Sequence, residues 1–329
     1  MDTNLMEYSI LEDSQKIDLF IQECDVFKYI IQNESTEEFI NEGIDFGKIK
    51  ERVKKIIDTI LTTLKKVFDT IIGKIKEIFS KPIQESVNDT IQKKFKLAIK
   101  CSGAIPSEDQ DTYICRVIDE NLIKQMLSKV QDAAVEASSD LENVYNTFLR
   151  STNSSTFYKY NEDDELEYDH YIRYPEKDIE NISKHIKNKS HDSLVVITVG
   201  NLAKYEGLIN KNVYESKNIL NFINDMKKDC DNKINKMKQM TDALKEDKDE
   251  NPNMEYYALF NRSCATYQKV IAKCASMGTS FYFSNRRQYV RCILKSIAVV
   301  KALGTKAAKN PDSRFNDPNM NYSKWLTEL

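Results

Sequence analysis

The chain has 329 residues, 41% hydrophobic and 30% charged, with a formal net charge of −3; that is enough apolar material for one large domain or two modest ones and excludes a disordered tail. Only 8 Gly and 6 Pro are present, so turns that need them are few and long helices are expected. No stretch approaches about 18 uninterrupted apolar residues, and the acidic start MDTNLMEYSILEDSQK is unlike a signal peptide, so neither a spanning helix nor secretion is expected and a cytosol is the expected compartment.

Residues 5–41 read as an amphipathic, acidic helical segment with a break at Asn33, Glu34 and Ser35, where Ser35 and Glu38 form a capping-box pattern. Residues 46–80 carry the strongest period in the chain. Phe46, Ile49, Val53, Ile57, Leu61, Leu64, Phe68, Ile72, Ile75 and Phe79 recur every third or fourth position, at a mean of about 3.7 residues from Ile57 onward. Lys81 and Pro82 stop this helix, because proline lacks the amide donor and restricts the residue before it.

A shorter helix over 83–100 and a loop from Cys101 follow. A 3-and-4 pattern then runs through Ile118, Leu122, Met126, Val130, Ala133, Ala137, Leu141, Val144 and Phe148. The small residues Ala133, Ala134, Ala137, Ser138 and Ser139 allow another helix to approach closely there. Residues 156–174, aromatic and β-branched around the acidic run Glu162 to Glu165, predict a β-hairpin inserted between helices. A short helix spans 179–186, and Leu194 to Val199 form an apolar run of either type. A long helix is expected over 201–246, then two more over 254–277 and 285–307, separated at Met277, Gly278, Thr279 and Ser280. Residues 201–307 thus read as an antiparallel bundle. The last 22 residues, 308–329, read as a loop-like tail with the single Trp, Trp325.

The expected architecture is therefore mainly α: an elongated helical bundle with one long amphipathic helix and a small β-hairpin. Its segments are 1–45 (acidic, helical), 46–81 (cationic helix), 82–200 (helical, with the hairpin), 201–307 (bundle) and 308–329 (tail).

Charge is segregated. Residues 1–46 hold 2 basic and 12 acidic side chains, residues 47–81 hold 10 basic and 4 acidic, and residues 256–311 hold 10 basic and none acidic. Such blocks either dock on one another or face separate partners of opposite sign. Arg286, Arg287, Arg291 and Lys295 recur at helical spacing near aromatic residues. They form a candidate patch for an anion or nucleic-acid backbone, or a face that answers the acidic blocks.

Chemistry is sparse. His170, His185 and His191 lack metalloprotease spacing, and no glycine-loop or nucleophile-elbow motif occurs, so neither catalytic group, metal, cofactor nor small-molecule substrate is expected. Glu162 to Glu165 lack the alternating oxygen ligands of a calcium loop and read as a solvated turn. Seven dispersed Cys without a C-x-x-C pair predict small buried hydrophobes rather than a disulfide framework.

On the 46–80 helix, Lys48, Arg52, Lys55, Lys65, Lys66 and Lys74 lie opposite the apolar line Ile57, Leu61, Leu64, Phe68, Ile72, Ile75 and Phe79. A helix of this kind either packs across a bundle or partner, or lies in a membrane interface. The acidic segment before it reads as a mask for the helix or as a separately folded cap.

Glu37, Glu38, Phe39, Ile40, Asn41, Glu42 and Gly43, followed by this Lys/Ile-rich helix, resemble the N-terminal organisation of structural and capsid-internal virion proteins of large tailed bacteriophages. In such phages a prohead protease of the T-even type cuts after glutamate in the pattern Ile or Leu, any residue, Glu, small residue. Ile40-Asn41-Glu42-Gly43 fits it, making Glu42 and Gly43 the candidate processing site. The resemblance implies a non-enzymatic virion protein that assembles with itself or other virion proteins, located in the virion and, during assembly, in host cytoplasm. Two rivals are a membrane-active or pore-forming protein using residues 46–80 on an anionic surface, and a nucleic-acid-binding factor using the basic 256–311 block.

Overall fold

The computed structural model describes residues 46–80, 82–152, 181, 194–244 and 254–329. The fold is mainly α: among these residues 83% are helical, in seven α-helices and three short 3-10 turns beside one small antiparallel sheet. The helices are α1 (Phe46–Ser80), α2 (Pro82–Ser102), α3 (Glu120–Thr152), α4 (Glu206–Tyr214), α5 (Lys217–Asp242), α6 (Met254–Ala307) and α7 (Tyr322–Glu328). Strands β1 (Tyr113–Ile118) and β2 (Leu194–Thr198) pair with Cys115 opposite Ile197 and Arg116 opposite Val196.

The spine is α6, 54 residues and about 80 Å long at the α-helical rise. It touches α3, α2, β1, α4, α1 and α5. Helix α3 runs antiparallel to it: Phe148 meets Tyr257, Tyr145 meets Phe260, and Ser138 meets Tyr267. The small residues predicted to permit close approach do so, since Ala133, Ala134, Ala137 and Ser138 are buried in this seam. Helix α1 runs antiparallel to α5, and one buried cluster extends from Ile49 to Leu329.

The helix stop at Lys81 and Pro82 is borne out: α1 ends at Ser80 and α2 opens at Pro82, where a missing amide costs nothing. Several boundaries differ from expectation. The break at Met277 to Ser280 does not occur, because Gly278 lies inside continuous α6 and serves to admit the ring of Phe222 from α5. The helix expected over 201–246 is instead a 3-10 turn (Leu202–Tyr205), α4 and α5, parted at Glu215, which is extended. Two α6 side chains capture the carbonyls freed there: Arg286 Nε donates to Val213 and Tyr282 OH to Glu215.

Ile118 ends a strand rather than opening α3, whose start is capped by Asp119 accepting the Asn121 amide at 3.1 Å. The apolar run at 194–198 resolves as the strand β2. The tail is not loop-like throughout. Phe315 and Leu326 are buried against Gly304 of α6, and Lys94 Nζ reaches the Leu329 carbonyl. The hairpin at 156–174, the segment 1–45, most of the 179–186 helix, the three His and the Glu162 to Glu165 run lie outside the described residues.

The cysteine expectation is half corrected. Cys101, Cys115, Cys230, Cys264, Cys274 and Cys292 are all buried, as expected of small hydrophobes. Cys115 and Cys292, however, form a disulfide that ties β1 to α6 across 177 residues of sequence. No local spacing announces it, because the sheet and α6 meet only in the fold.

Candidate binding surfaces

Helix α1 presents two faces that the fold treats differently. Ile57, Leu64, Phe68 and Ile75 sit at the centre of its buried face, together with Ile49, Val53, Ile60, Ile71 and Ile78. Leu61, Ile72 and Phe79, placed on the central line by the sequence reading, are half-buried at its margin. The buried line shifts by one residue at these three positions, because the apolar face is wider than one row and Phe79 turns toward Phe283, ring centroids 6.3 Å apart.

Across from α1, helix α5 supplies both the apolar lid and the charge partners. Lys54 pairs with Asp242 at 3.0 Å, Lys238 with Asp58 at 2.7 Å and Lys227 with Asp69 at 2.5 Å. Lys50 Nζ donates to the Leu244 carbonyl. The Asp242 hydrogen bond raises the Lys54 ammonium above its ordinary value, as the Asp58 bond does for Lys238. Lys48, Lys55, Lys65 and Lys66 face solvent, whereas Arg52 and Lys74 are half-buried. The apolar face offered to membrane or partner by the sequence reading is thus packed within the molecule, and any bilayer contact through it requires α1 to leave α5.

The second predicted patch is divided by the fold. Arg286, 5% exposed, does not join the surface. Its Nε donates to the Val213 carbonyl at 2.9 Å and its guanidinium lies 4.7 Å from the Phe79 ring centre, linking α6, α4 and α1. Arg291 and Lys295 are exposed and Arg287 is half-buried, all on the outer side of α6. Arg262, Lys273 and Lys301 fall on the same side and were missed by a reading confined to one cluster. Their signal is the absence of any acid over 256–311 combined with a helix longer than expected.

The half-buried carboxylates tie helices together. Glu142 of α3 bonds Lys233 at 2.6 Å and also Lys236, and these ammonium groups hold its carboxyl below the ordinary value of 4.5. Glu120 is lowered likewise by Lys211, which bonds it at 2.6 Å. Burial pushes the Cys230 and Cys274 thiols up to about 12, so neither is a ready nucleophile. Among the described residues no group of three or more His, Cys, Asp or Glu is placed to hold a metal ion, and no helix is long and apolar enough to cross a membrane. The chain matches no protein family, no curated protein and no solved structure.

Proposed function

We propose that the chain is a non-enzymatic structural or packaged protein of a large tailed-phage virion, working through charged helix faces mounted on a sealed helical framework. The observation that carries this reading is a coincidence of boundaries. The processing pattern at Glu42 and Gly43 and the reversal of charge from the 1–46 block to the 47–81 block fall within five positions of one another. A cut after Glu42 removes acidic sequence and leaves the cationic segment 47–81 in the product.

Peptide mass spectrometry of gradient-purified particles of the encoding phage tests the reading. The expected result is coverage of residues 46–329 with an N-terminal peptide opening at Gly43. Absence of the chain from particles overturns the virion assignment, and an intact N-terminus overturns processing at Glu42.

A further inference from the structure

Helix α6 sorts the acid-free block by face. Tyr267, Ile271, Cys274, Tyr289 and Ile293 turn inward and are buried. Arg262, Lys273, Arg287, Arg291, Lys295 and Lys301 fall in one outer sector, about a third of the helix circumference. Arg262, Arg291, Lys295 and Lys301 are exposed and the other two half-buried. The same sector also holds Lys269, and the short, uncharged Thr266, Ser280, Ser284, Ala298 and Ala302 lie between the cations. From Arg262 to Lys301 the row extends about 60 Å along one helix. Past its end, Lys306 is engaged by Asp109 at 3.4 Å.

We propose that this face of α6 binds the phosphate backbone of duplex nucleic acid without reading its sequence. A duplex presents a negative charge about every 1.7 Å of its axis, so a cationic row of this length meets many phosphates along its extent. Contacts to phosphate position a protein but carry no base information. Single-strand binders stack bases on exposed aromatic rings. The large exposed hydrophobics among the described residues are Tyr113, Val135, Val196 and Met320, none of them on α6, which favours the duplex. The inference stands on α6 alone and does not depend on the virion reading.

The test is fluorescence anisotropy of the full chain with duplexes of about 30 base pairs in two unrelated sequences, from about 50 to about 200 mM salt. Six phosphate contacts predict equal affinity for both sequences, a log–log salt slope near −5, and a loss of about 10³-fold across that range. Replacing Arg287→Gln, Arg291→Gln and Lys295→Gln together reduces the slope to about −3 and weakens binding at low salt, with helix content by circular dichroism unchanged. Should that variant lose helix, Arg262→Gln with Lys301→Gln, at the two ends of the row, reduces the slope by about 2 instead. Failure of the full chain to bind at about 50 mM salt, or an unaltered slope in both variants, overturns the proposal. Tighter binding to a single strand of equal length overturns the duplex assignment. Binding to phosphatidylserine vesicles with none to duplex gives the face to a membrane surface and overturns it too.

Discussion

A step of one residue along a helix is a turn of about 100°, and Arg286 and Arg287 are separated by that turn. Arg286 shares its side of α6 with Tyr282, Tyr289 and Ile293, all buried, whereas Arg287 shares the outer side with Arg291. That distinction was legible in the spacing, since positions four before, three after and seven after Arg286 are apolar or aromatic. Arg286→Ala is expected to cost about 2–3 kcal/mol in urea denaturation, by orphaning the Val213 carbonyl and losing the contact with Phe79. Arg287→Ala should stay within about 0.5 kcal/mol. Two glycines make an opposite pair. A Cβ at Gly73 of α1 meets nothing within 4 Å, so Gly73→Ala should stabilise by about 0.5–1 kcal/mol through lower backbone entropy in the unfolded chain. At Gly278 the added carbon collides with the Phe222 ring, buried between α5 and α6, so Gly278→Ala should destabilise by about 1–3 kcal/mol despite its better helix propensity. Equal thermal midpoints for the two glycine variants would contradict this reading of the α5–α6 approach.

Among the elements, those bounded by a chemical necessity were legible and those bounded by a distant partner were not. Pro82 imposes its boundary on any fold, so α1 ends where the sequence says. Gly278 imposes nothing; it permits either a turn or a close approach, and only the position of Phe222 decides. Strand β1 is six residues long and finds its partner near residue 196, so local pattern cannot announce it. The same distance makes its staple strong. The Cys115–Cys292 bond closes 177 residues of sequence, and the loss of unfolded-state entropy is worth about 5 kcal/mol on the chain-entropy model. Urea denaturation of Cys115→Ser with Cys292→Ser should show a loss of that order, and reductant should produce the same loss in the parent but none in the variant. Between α3 and α5 ion pairs of Glu142 stand beside the buried Tyr145–Thr241 hydrogen bond. The folded Glu142 carboxyl titrates below its unfolded value near 4.5, so its contribution is complete at about pH 6 and is lost as acidity carries the protein through the depressed value. Glu142→Gln should therefore cost about 1 kcal/mol at pH 7, and the gap between variant and parent should narrow by pH 3 in paired denaturation series.

At the scale of the whole molecule, the helical class was legible because few Gly and Pro and a sustained period leave little else. What the outer surface offers was not, because whether an apolar face is a core or a contact depends on the element opposite. Helix α1 shows the difference. Its three ion pairs with α5 have at least one partner half exposed, and pairs of that kind contribute about 0–1 kcal/mol each. Beneath them lie nine buried apolar residues, and truncating one such as Leu64 to Ala costs about 3 kcal/mol. The seam therefore outweighs the clasp, and salt that screens the clasp cannot release the helix. Asp58→Asn with Asp69→Asn should cost less than about 1 kcal/mol in total, while Leu64→Ala alone costs several times more. Hydrogen exchange carries the comparison to function. Amides between Ile57 and Ile75 should exchange only with global unfolding, and at the same rate in about 1 M salt or beside anionic vesicles. Faster exchange confined to those amides on vesicles would mean that a bilayer outbids α5 for the apolar face, and α1 would then be a membrane element held in store. Unchanged exchange leaves α1 a strut, and the surfaces available to partners are then the charged ones that the bundle turns outward.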